Sequence, residues 1–315
     1  MVTADHVITV REYFLNLQSE ICTQLIAQEL ELENQQPADS AIVTLPTDAP
    51  NFSKEQINTP GGGLSQPRVF AGGKHIEKAA VQFTHSVGDS LPQAATQRNP
   101  KLAGCPFQAT AISLIVHPCN PHVPTTHMNL RFFFVQSDDP VWYFGGGFDL
   151  TPFYPVDEDV VHWHQTAQSA VQEHYPQMKA NCDEYFYLPH RDEHRGVGGI
   201  FFDDWTLGGF DSAFALAQRI GNAFLPAYLP IIEKRKNTPF SQQQREFQLY
   251  RRGRYAEFNL AIDRGTKYGL QSGRRIESVL ASLPPLAAWS YNYVAPQGSA
   301  EAKLTDYYLQ PQNWL

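Results

Sequence analysis

The sequence predicts an α+β fold with a largely antiparallel sheet. Three observations point there: a helical apolar period near the N-terminus, a series of short alternating segments joined by polar turns, and longer helical stretches in the second half. With 315 residues, 42% hydrophobic and 12% aromatic, the chain can bury the core of one large domain or two tightly joined ones.

Over residues 10–30, Val10, Phe14, Leu17, Ile21 and Leu25 recur at helical spacing and predict an amphipathic helix. Residues 33–66 are rich in Gln, Pro, Asn, Thr and Gly, end in Gly61-Gly62-Gly63, and predict a polar loop. No Lys-Ser/Thr follows those glycines, which argues against a phosphate-cradling loop. Residues 109–117 alternate as a strand, with Ala111, Ser113, Ile115 and His117 on one side. Further strands are predicted over 128–136, 141–145, 199–202 and 255–263. Helices are predicted over 157–173, over 211–236 with an interruption near Pro226, and over 272–283 before Pro284-Pro285.

The formal net charge of −8 argues against nucleic acid, whose binding depends on cationic contacts to phosphate. Cys22, Cys105, Cys119 and Cys182 form no CxxC or cluster spacing. Apolar runs such as residues 109–116 fall far short of the roughly 20 residues that span a bilayer. Asp5, His6, Arg11 and Glu12 leave no room for a secretory n-region and h-region, so the expected location is cytoplasmic.

Eleven histidines are present, ten of them between His75 and His194, clustered as 117/122/127, 162/164 and 190/194. Imidazole suits both acid–base work and metal ligation, and the spacing matches no compact zinc signature. In Trp142-Tyr143-Phe144-Gly145-Gly146-Gly147-Phe148-Asp149, three glycines leave a sheet edge and deliver an aspartate into a Thr-Pro turn. Glycine there serves either a tight turn or the close approach of a flat ligand. From His190 to Asp204 a charged, glycine-containing loop leads into an apolar strand ending in Asp203-Asp204. Between Arg245 and Arg275, eight Lys or Arg residues face only Glu246, Glu257 and Asp263, which reads as a solvated basic face or a local anion site.

Taken together, GGGFDLTPFYP, HRGVGGIFFDD, QLYRRGRYAEFNLAIDRGTKYGLQSG and SLPPLAAWSYNY resemble the signature blocks of the aerobic coproporphyrinogen-III oxidases, from about residue 68 to the C-terminus. The resemblance implies a single domain over 1–315, with a large antiparallel sheet flanked by helices on both faces. It also implies a homodimer whose contact segment lies near 255–290, coproporphyrinogen III and O2 as reactants, and no organic cofactor. By motif position it implies substrate contacts at Ser113, Asn129, Leu130, Arg131, Gly273, Arg274 and Arg275. The same positions imply His127 as proton donor, with His117, His127, His164 and His190 as the expected ligands of a divalent metal. Arg274 departs from the glycine common in the family, and residues 33–60 do not align with it.

A porphyrinogen carries four carboxylates and four pyrrole N–H groups, so it needs arginines, an acceptor and a wide cavity. Arg131, Arg195 and Arg264 are the expected propionate partners, and Asp263 or Asp149 the carboxylate facing the pyrroles. Two other readings compete: a His-rich metal hydrolase, which needs no oxygen, and a tetrapyrrole carrier, which releases no CO2.

Overall fold

The computed structural model describes residues 2–30, 50–91, 102–271 and 274–315. Its centre is a seven-stranded sheet in the order β1-β2-β3-β4-β5-β6-β9, formed by β1 Ile57–Thr59, β2 Gly63–Ala71, β3 Ile76–Gly88, β4 Phe107–Pro118, β5 Thr125–Val135, β6 Val141–Thr151 and β9 Gly198–Trp205. Every pairing is antiparallel. A small ribbon, β7 Tyr187–Leu188 and β8 Glu193–His194, stands apart. The α+β expectation holds.

One sheet face carries Val81, Phe83, Ile112, Leu114, Leu130, Phe132, Phe144, Phe148 and Ile200 into the main core. Helix α1 (Ala4–Glu29) packs there through Val10, Phe14, Leu17, Ile21 and Leu25, the stripe read from the sequence. Helices α2 (Asp157–Val171) and α4 (Gly209–Arg235) complete that layer, and α3 (Tyr175–Tyr185) lies along β9. The opposite face meets α5 (Gln242–Ala261), whose Tyr255 packs on Ala80 and Ile115. Short helices α6 (Arg264–Gln271) and α7 (Ile276–Val279) follow, and α8 (Ala300–Lys303) precedes the C-terminus.

Five expectations need correction. Within the 33–66 loop, residues 33–49 lie outside the described residues, but 57–59 and 63–71 form the hairpin β1–β2, turning where Gly61 and Gly62 have φ of 73° and 84°. Its polar composition hid it because Ser65 and Gln66 alternate along a strand near the sheet's edge. The strand expected over 255–263 is the second half of helix α5. Ser241 caps that helix with Gln244 in a capping box, and no β-branched residue occurs from Gln242 to Ala261.

The third correction is that α4 runs unbroken through Pro226 and Pro230. Pro230 lacks the N–H that would bond the carbonyl of Pro226, and His162 Nε2 takes that carbonyl instead at 3.1 Å. The fourth is that Gly145–Gly147 lie within β6, between β5 and β9, not at an edge. The helix expected over 272–283 is reduced to α7 and one 3₁₀ turn, Leu280–Ser282, before the two prolines. Strand β3 and helix α3 were not anticipated.

Candidate active site

On the face opposite the main core, a cavity of about 630 Å³ opens between the sheet and α6–α7. Period-two alternation sets its floor: Ala80, Gln82 and Thr84 of β3, Ala111, Ser113 and Ile115 of β4, and His127 and Asn129 of β5 all line it. Ser113 and Asn129 are cross-strand partners. Leu130, next to Asn129 in sequence, points the other way into the core, so only its backbone borders this face.

At one end His127 Nδ1 meets Asp149 Oδ1 at 2.9 Å across the β5–β6 pairing. Burial opposes ionisation of Asp149, but Arg195 and His127 outweigh it and hold its pKa below the ordinary value. An ionised carboxylate accepts, so His127 donates through Nδ1 and leaves Nε2 for the cavity it lines. Arg195 Nη2 donates to both Asp149 oxygens at 2.9 and 2.8 Å, and Nη1 to Asn259 Oδ1 at 3.0 Å. Phe186, Tyr255 and Phe258 surround the guanidinium, their ring centres 4.3, 4.4 and 4.6 Å away. Arg195 is thus a buried partner of Asp149 rather than an open anchor for a propionate.

Asp263 also lines this end. It ends no strand: it precedes α6, where Oδ2 accepts from Thr266 N at 2.6 Å as an N-cap and Oδ1 accepts the Tyr185 hydroxyl at 2.9 Å. Beside it, Arg131 reaches across β6 to Asp203 at 2.6 Å, and Arg264 meets the same carboxylate at 3.2 Å. Gly145 makes this crossing possible, because a Cβ there would sit 2.8–2.9 Å from the Arg131 guanidinium.

The far end carries Arg274, bonded to Ser86 Oγ at 3.3 Å and stacked on Tyr268, and Arg275, paired with Glu55 and Glu277. Ser86 pairs with Ala109 and His127 with Ile115, a separation of six residues along β4 or roughly 20 Å. The cavity therefore has cationic side chains at a distance from its histidine end. Gly273 lies outside the described residues.

The four histidines expected to share a metal are not brought together. His117 Nε2 bonds the Ser282 carbonyl at 2.9 Å and Nδ1 approaches Thr125 Oγ1 at 3.3 Å. Burial, aided by Arg252, pushes its pKa well below the ordinary value, so it is a neutral anchor. His164 belongs to α2, in the core-side layer, with Nε2 on the Val197 carbonyl and Nδ1 on the Tyr175 hydroxyl. His190 bonds Glu257 on the surface at 2.9 Å. Among the described residues, no group of three or more His, Cys, Asp or Glu is placed to hold an ion, so these donors do not fit one metal centre.

Sequence reasoning missed Asn259, Tyr185 and the aromatic cage of Arg195, which come from separate elements and carry no local pattern. Asp203 was visible only as part of a pair of carboxylates ending a strand.

A family model described as coproporphyrinogen III oxidase matches residues 9–314. That span takes in the whole sheet, the cavity and every side chain described at both of its ends. The match therefore agrees with a site built for a large polyanionic ligand, and the chain belongs to the coproporphyrinogen III oxidase family.

Proposed function

We propose that this cavity is where the family's reaction takes place: oxidative decarboxylation of two propionates of coproporphyrinogen III to vinyl groups, with O2 as electron acceptor. The observation that carries the assignment is one cavity joining His127, backed by Asp149, to Asp263 and, roughly 20 Å along the sheet, to Arg274 and Arg275. Asp263 faces the pyrrole N–H groups. His127 Nε2 holds or moves a proton at the reacting side chain, and Asp149, kept ionised by Arg195, orients it. Arg131, Arg264, Arg274 and Arg275 meet propionates, with Ser113, Asn129 and the backbone at Leu130 beside them.

Each side chain loses hydride from the β-carbon and CO2 from the carboxylate, forming the vinyl C=C. O2 accepts the hydride's electron pair and, with one further proton, leaves as hydrogen peroxide. The electron-rich pyrrole supplies the activation, so no organic cofactor is required.

A homodimer is part of this reading. Leu260, Tyr268, Leu270, Ile276, Leu286 and Trp289 leave a run of exposed apolar side chains over the segment expected to make the contact. Among the described residues no helix is long and apolar enough to cross a membrane, and we place the enzyme in the cytoplasm.

Asp263→Asn tests the chemistry cleanly, because asparagine is as good an N-cap as aspartate and leaves α6 capped. The expected result is a single-turnover rate lowered at least tenfold with an unchanged unfolding midpoint. A normal rate would remove Asp263 from the mechanism and leave Asp149 as the carboxylate of choice.

A further inference from the structure

We infer that Asp203 is a positioning residue that joins Arg131 and Arg264 into one two-guanidinium clamp for a substrate carboxylate. The inference rests on the reading above that these arginines meet propionates.

Two guanidinium groups side by side repel, and long side chains at an open site lose conformational entropy when held together. Asp203 opposes both effects. Its Oδ1 lies 2.6 Å from Arg131 Nη2 and its Oδ2 3.2 Å from Arg264 Nη2. Asp203 takes a single Nη of each arginine, and although Arg131 also gives its other Nη to Asn129, both guanidinium groups keep N–H donors for a second carboxylate.

The surroundings are built for the same arrangement. Tyr185 stacks on Phe201, with ring centres 4.5 Å apart and planes 11° from parallel. Arg264 lies 4.9 Å over the Tyr185 ring, and both arginines lie 5.8 Å from the centre of Phe201. Arg131 is further held by Asn129 Oδ1 at 3.1 Å.

Asp263, next to Arg264 in sequence, accepts from the Tyr185 hydroxyl and the Thr266 N–H, while the carboxylate that Arg131 and Arg264 both bond is Asp203. Burial opposes charge on Asp203, yet the two arginines outweigh it and keep the group ionised. The cluster carries a net positive charge and remains open: Arg131, Asp203 and Arg264 side chains are 31%, 28% and 55% exposed. It is therefore reachable by a ligand, unlike the sealed Asp149–Arg195 pair.

The test is equilibrium binding of coproporphyrin III, the oxidised tetracarboxylate that cannot turn over, to the full-length protein. Asp203→Asn is expected to raise Kd about tenfold, equivalent to about 1.4 kcal/mol. Asp203→Glu should recover part of that loss, and kcat for the porphyrinogen should stay within about twofold while KM follows Kd. In an Arg131→Ala/Arg264→Ala background, adding Asp203→Asn should change nothing further. An unchanged or tighter Kd in Asp203→Asn would overturn the proposal. So would a loss that persists in the double-arginine background with a lowered unfolding midpoint, which marks a merely structural residue. Failure of the underlying reading looks different: the double-arginine variant would bind coproporphyrin III as tightly as wild type.

Discussion

Arg195 Nη2 donates to both carboxylate oxygens of Asp149, at 2.8 and 2.9 Å, with each side chain only 2% exposed. Removing one partner of such a pair strands a buried charge. Arg195→Met should therefore destabilise the fold by about 3–5 kcal/mol in chemical denaturation. It should also weaken turnover by freeing Asp149 from its fixed place behind His127. A near-neutral ΔΔG would mean that the pair is not a structural unit.

The three glycines of β6 separate by what a Cβ would meet. At Gly147, with φ of 144°, it would fall on the backbone carbonyl of Ile200, and Gly147→Ala should cost about 4 kcal/mol or more. At Gly145 it would meet only the mobile end of Arg131. Gly145→Ala should keep the unfolding midpoint nearly unchanged yet raise KM by displacing that guanidinium. Thermal melts paired with steady-state kinetics separate the two behaviours.

His164 and His117 are expected to act on stability rather than on metal content. His164→Ala leaves the Val197 carbonyl and Tyr175 hydroxyl without their partner, at about 1–3 kcal/mol for each buried group. Elemental analysis should find the same metal content in variant and wild type. Burial drives the pKa of His164 down to about 3, so between there and the ordinary value of 6.5 the unfolded chain binds a proton that the folded chain does not. Stability must fall as pH drops through that window, and His164→Ala should flatten the slope.

Glu257 gives a second acid-sensitive contact. Burial opposes its charge, but hydrogen bonds from Arg191, His190 and Trp289 bring its pKa down to about 2. A depressed carboxylate contributes stability above its unfolded value of 4.5 that is lost as pH falls towards 2. Glu257→Gln should therefore be less stable than wild type at neutral pH and approach it in acid. Urea midpoints measured at pH 7 and pH 3 decide this.

The sheet was legible where apolar alternation is strong, as in β4 to β6, and α1 was legible from its stripe. Strands β1 and β2 were not, because a strand that lines a polar cavity near the sheet's edge presents Ser65 and Gln66 where a core strand presents valine. Helix α5 was misread because Tyr255 to Asp263 alternates over a window too short to separate period 2 from period 3.6. At the site, His127, Asp149 and Asp263 were nameable from motifs, but the pairing of Asp149 with Arg195 behind His127 was not. The burial of Arg195 by Phe186, Tyr255 and Phe258 depends on three elements meeting, which no local pattern encodes. The shared metal site failed for the same reason: His164 lies with α2 in the core-side layer, while His117, His127 and His190 each hold a different partner on other elements.

The most direct test of the whole account is turnover of coproporphyrinogen III by the purified protein with and without oxygen, measuring CO2, hydrogen peroxide and vinyl product together. In air, one CO2 and one hydrogen peroxide should appear for each vinyl group formed, and under strict anaerobiosis none of the three should appear. Vinyl formation that continues without oxygen, or CO2 released without peroxide, would contradict the account.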